Sequence, residues 1–147
     1  MGLRMAALRA GVAGFALCVA PFGAFEAAAA DVLGTWLTPS RNGLVEITKC
    51  GTSVCGRLVS SDGLKADPAL KDVNNVDPAL RGRALKGLVI LQGFKGSGGS
   101  WSGGEIYNAE DGKTYSATVT LESDDTLKVR GCVFAPLCKT QTWTRSR

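Results

Sequence analysis

Beyond Asp31, apolar and polar residues alternate with a period of two in short runs, as in "LVEITKC" (Leu44–Cys50) and "TYSATVTLES" (Thr114–Ser123). That period puts one set of side chains on each face of an extended strand. The runs predict eight strands: Val32–Thr38, Gly43–Cys50, Val54–Ser60, Leu85–Phe94, Gly99–Asn108, Thr114–Ser123, Thr126–Val133 and Lys139–Thr144. Several are separated by tight-turn chemistry, Asn42-Gly43, Asp111-Gly112 and Asp124-Asp125, which tolerates positive φ or caps the turn with a side chain. Such short links make neighbouring strands antiparallel. Eight antiparallel strands, each apolar on one face, bury those faces as a sandwich or as a closed barrel, and closure removes exposed edges. The expected fold class is all-β.

One long connection, 61–84, interrupts the alternation and repeats "DPAL" at Asp67–Leu70 and Asp77–Leu80. An Asp cap followed by Pro starts a short helix, so two helical turns are expected there. The polar cluster Asp67, Asp72, Asn74, Asn75 and Asp77 lacks the alternate-position spacing of a calcium loop, and capping accounts for most of it.

The opening thirty residues differ in kind. Arg4 and Arg9 precede the apolar stretch Ala10–Val19, and Pro21, Gly23 and Ala28-Ala29-Ala30 follow. This is the pattern of a signal peptide over 1–30, cleaved near Ala30. Pro21 and Glu26 argue against a retained membrane span, and Leu17 is too large a neighbour for a lipid anchor at Cys18. The expected location is therefore periplasmic or secreted, with 31–147 forming a single β-barrel domain and no membrane span in the mature protein. Losing Arg4, Arg9 and Glu26 takes the net charge from +4 to +3, spread along the chain. Without a basic run interleaved with aromatics, no nucleic acid is expected as a partner.

Four cysteines remain after cleavage, Cys50, Cys55, Cys132 and Cys138. Three pairings are open. The spacing favours Cys50–Cys55 and Cys132–Cys138, because "CGTSVC" and "CVFAPLC" each bracket a turn-forming segment and hairpin partners sit close enough to bridge. There is no C-x-x-C and no His, so neither a metal nor a cofactor is expected.

"GTWLT" opens the first strand and "TQTWTR" closes the last. In a barrel those strands meet. Gly34 then allows close backbone approach, Trp36 places a ring at the base, and Arg145 can lay its guanidinium over that ring. This arrangement resembles the lipocalin-like calycin barrels. With "VDPALRGRALKGLVIL", "WSGGEIYNAEDGKTYSATVTL" and "TLKVRGCV" between them, the chain resembles the secreted bacterial domain-of-unknown-function family 2147 (DUF2147). The resemblance implies an exported, lipocalin-like small barrel with no established activity or catalytic residue. Cys138 departs from the family pattern, which makes the second disulfide less secure than the first.

The absence of His excludes Ser-His-Asp and Cys-His chemistry, His-ligated metals and His acid–base catalysis. A hydrolase would need a carboxylate pair, with Glu46, Glu105, Glu110 and Asp111 as candidates, although the last two fall in a turn. No enzyme is expected and no catalytic residue is assigned. The glycine-rich Gly93–Glu105 lacks the G-K-[ST] of a phosphate loop and is expected to be a mobile hairpin loop at the barrel mouth. Trp101 and Tyr107 are either core aromatics or rings lining a ligand opening. Two functions follow. One is a barrel holding a small apolar or amphipathic molecule; the other is a filled barrel that binds an envelope protein or glycan through its loops. The choice turns on which of Trp36, Phe94, Trp101, Tyr107, Tyr115 and Trp143 point inward, and the modest size of the remaining interior residues favours a cavity.

Overall fold

The computed structural model describes residues 31–147. The expected signal peptide, 1–30, lies outside the described residues. Among the described residues eight strands form: β1 Gly34–Leu37, β2 Leu44–Cys50, β3 Ser53–Ser60, β4 Val89–Ser97, β5 Ser100–Asn108, β6 Lys113–Ser123, β7 Thr126–Phe134 and β8 Leu137–Ser146. Each pairs antiparallel with the next, and β8 returns to β1 to close a barrel. The closing register sets Trp36 opposite Arg145 and Leu37 opposite Thr144. The period-two pattern thus yields the all-β barrel expected of it.

Three local expectations change. The strand expected from Leu85 begins at Val89, because the N–H groups of Leu85 and Gly87 donate to Leu70 and Leu58 across the long connection. The glycine-rich run is a β4–β5 hairpin turning at Gly98 and Gly99, and it turns at the end opposite the mouth. Gly104 serves packing: a Cβ on it would lie 2.5 Å from the Phe94 ring. The long connection carries one short helix, α1 (Asp62–Ala66), capped by Ser61 rather than by the first "DPAL". Asp67 ends that helix, so the first repeat only turns, whereas the second forms a 3-10 turn at Pro78–Leu80 capped by the Asp77 carboxylate.

The barrel has two unlike poles. The β2–β3, β4–β5 and β6–β7 hairpins and both ends of the described chain meet at the base. Trp36, Phe94, Trp101 and Trp143 fill that half together with Ile47, Val119 and Leu127. The buried Trp36 Nε1 donates to the Val32 carbonyl at 2.8 Å, so the largest ring leaves no polar atom unsatisfied. The other pole gathers the β1–β2 loop, the long connection and the β5–β6 and β7–β8 turns. One disulfide joins Cys50 to Cys55 at the base, and the other joins Cys132 to Cys138 at the mouth. Among the described residues no helix is long and apolar enough to cross a membrane.

Candidate ligand cavity

At the base, Arg145 does more than stack. Its guanidinium carbon lies 4.2 Å from the Trp36 ring centre. Its nitrogens donate to the Leu33 carbonyl at 2.8 Å, the Asp31 carbonyl at 2.7 Å and the Asp124 carbonyl at 2.5 Å. Gly34 (φ 120°) makes room for it, since a Cβ there would sit 2.9 Å from Nη1. The sequence placed these three residues together, but the three carbonyl acceptors carried no signal in it.

Above this packed floor the interior is open. A cavity of about 1140 Å³ runs from Trp143 to the mouth. Val45 and Leu58, Ile106, and Val129 form an apolar wall on facing strands. Gly131 adds space there, because its absent side chain would point at Ile106 and Tyr115. Polar groups enter from β8: Gln141 pairs with Val129 and Lys139 with Gly131, so both share the inner face with Trp143. The Gln141 side-chain carbonyl accepts from Trp143 Nε1 at 2.9 Å. Tyr115 also lines the cavity, and its hydroxyl donates to Asp111 at 2.5 Å; that bond holds the phenol proton and raises its pKa.

The rim is tied across. Glu110, on the β5–β6 turn, accepts from Arg41 Nε and Ser40 Oγ of the β1–β2 loop, each at 2.9 Å. These two bonds hold its carboxyl below the usual range. The long connection is clasped to the outside of the wall. Buried Asp72 accepts from Tyr107 Oη at 2.5 Å, Asn75 Nδ2 at 2.8 Å and Arg83 Nε at 2.8 Å. Arg83 also lies 4.9 Å over the Tyr107 ring. Desolvation, then the bond to Asp72, raises the Tyr107 pKa. Beyond the rim, the β7–β8 tip leaves Val133, Phe134 and Leu137 more than half exposed, at 66, 61 and 57 %.

A family model described as "Uncharacterized protein conserved in bacteria (DUF2147)" matches residues 34–145. The chain belongs to this family. A solved structure, protein HP1028 from Helicobacter pylori, described as belonging to the lipocalin family, is similar to this DUF2147 chain at 28 % identity and a TM-score of 0.71. The match covers 80 % of this chain and 84 % of that one. No match is found among curated proteins. The DUF2147 barrel is accordingly lipocalin-like.

Within it, the residues singled out from sequence separate. Trp101 is a core ring at the base, 7 % exposed, and does not line the opening, because β5 runs from base to mouth and Trp101 lies near its start. Tyr107, near the mouth end of β5, lines the cavity, and its hydroxyl also serves the clasp under the long connection. Glu46 and Glu105 alternate with inward residues and face outward, while Glu110 and Asp111 are rim groups with partners of their own. No two of the four face each other across the cavity. Asp67 and Asp77 cap turns, as their sequence context implied, whereas Asp72 is an anchor of the clasp that capping logic missed. Among the described residues no three His, Cys, Asp or Glu side chains cluster as a metal site.

Proposed function

We propose that this chain is an exported, non-enzymatic binding protein that takes a small apolar or amphipathic molecule into its barrel. On this reading residues 1–30 are a signal peptide removed near Ala30, and 31–147 act as one domain outside the cytoplasm, where the two disulfides would persist. The observation that carries it is the division of the interior: the aromatics are spent on the base, leaving about 1140 Å³ with an apolar wall and a few polar groups near the mouth. Small-molecule sites have that size and make-up.

A thermal-shift screen of the purified oxidised protein against fatty acids, isoprenoids and small aromatics, with mass spectrometry of whatever copurifies, tests the proposal. A ligand at a hundred times its Kd stabilises by about 2.7 kcal/mol, a shift of several degrees for a chain this short. A flat screen with nothing copurifying would sink it. The rival reading, an interaction protein binding an envelope protein or glycan through its loops, draws on the exposed Val133, Phe134 and Leu137. It would then take precedence.

A further inference from the structure

The charged groups around the cavity are unequally used. Arg41, Lys71 and Lys139 line it as cations, and Glu110 and Asp111 as anions. Both carboxylates already have contact partners, Glu110 in Arg41 and Ser40, Asp111 in the Tyr115 hydroxyl and the Lys113 N–H. Lys71 and Lys139 form no ion pair among the described residues. Lys139 contributes to lowering the Glu110 pKa, yet it stands beyond ion-pair distance of it. Its position is fixed by register, one step above Gln141 and two above Trp143 on the inner face of β8.

Below the rim the wall is apolar apart from Gln141, and among the described residues no carboxylate lines the cavity except those two. Gln141 continues the bias: its carbonyl is engaged by Trp143, which leaves the amide NH₂ as the group it offers inward. A ligand entering this space therefore meets cationic donors at the top, one N–H donor below them on β8, and hydrocarbon over the rest of the wall. A cationic headgroup would meet two ammonium groups that have no ion-pair partner among the described residues. A small hydrophilic anion would leave the wall uncovered.

We infer that the cavity selects an amphipathic anion, with one acidic headgroup held at Lys139 and Lys71 and a hydrocarbon chain lying against Val45, Ile106 and Val129 above the Trp143 floor. This rests on the small-molecule reading above and names its ligand class. The headgroup sits at the rim, so the charge stays partly hydrated while the chain is buried, which avoids the penalty of burying an ion.

Three probes with the same chain and different heads test it: dodecanoate, dodecanol and dodecyltrimethylammonium, each below its micelle concentration, titrated against Trp fluorescence and by calorimetry. Dodecanoate should bind about fivefold or more tightly than dodecanol, the scale of a partly exposed ion pair, and the ammonium most weakly. Lys139→Met should bring dodecanoate down to the affinity of dodecanol, Lys139→Glu should reverse the order of the two charged probes, and Lys139→Arg should keep the preference. Equal binding of dodecanoate and dodecanol, or a preference indifferent to both Lys139→Met and Lys71→Met, would overturn the anion inference while the cavity reading stands. Absence of binding by all three would overturn the anion inference, and the wider screen above would then decide the cavity reading.

Discussion

Arg145 shows how much one side chain can do when its fork matches the backbone around it. A single guanidinium covers Trp36 and ties together carbonyls of the segment before β1 and of the β6–β7 turn. Charge-assisted bonds of this kind exceed ordinary ones, and they occur where the sheet has to close. Arg145→Ala should therefore cost about 2–3 kcal/mol in a urea melt, and Lys should recover only a minor part, since one ammonium cannot reach three diverging carbonyls. A variant as stable as the parent would show that the strand ladder alone closes the barrel. The Gly-x-Trp and Trp-x-Arg pattern made the pair legible from sequence. The acceptors were not, because backbone carbonyls are common to every residue and only the fold selects three of them.

At the scale of elements, the long connection is ordered by a network that the sequence hid. Asp72, Asn75 and Arg83 belong to the connection and Tyr107 to β5, and nothing in their spacing brings Tyr107 beneath residues 72–83. The sign of the pH effect follows from Tyr107. Its folded pKa is raised above the ordinary value of 10.0, so its contribution is present below about pH 10 and is lost as pH rises through the folded value. Melts between about pH 9.5 and 11 should fall less steeply for Tyr107→Phe than for the parent, and identical slopes would contradict the clasp. The hairpin disulfides act more locally. Residues 50 and 55, and 132 and 138, close loops of separation 5 and 6, for which chain entropy gives about 2 kcal/mol each. Reduction should lower Tm yet leave the far-ultraviolet dichroism of a β-protein, whereas collapse of that signal would mean the barrel depends on them.

For the whole molecule, strand number and order were readable because alternation and turn residues act locally. The cavity was expected from the modest size of the remaining interior residues, but not its place, since alternation says which residues face inward and nothing of the height at which each sits. Trp36, Phe94, Trp101 and Trp143 all point in, which by count would suggest a filled barrel, but they gather at one pole. Gly131 provides the direct test of the space that remains. Its backbone is not in the left-handed region, and a Cβ there would lie 3.2 Å from Ile106 Cγ2, so a larger side chain must project into the cavity and push Ile106. Gly131→Leu should keep the fold at a cost of about 1 kcal/mol and weaken ligand binding at least about tenfold. Undiminished binding would place the ligand elsewhere.

The closure of β1 on β8 also sets a timetable. The contact between Arg145 and Leu33 spans 112 positions, and the last strand to be made is the partner of the first. Seven strands can form hairpins as they emerge, but Trp36 cannot be capped, nor the sheet lose its two open edges, until β8 is free to pair with β1. Completion thus waits on β8, and on the exported reading proposed above a thread crossing a membrane would close its barrel, and with it the cavity, only once that strand had crossed.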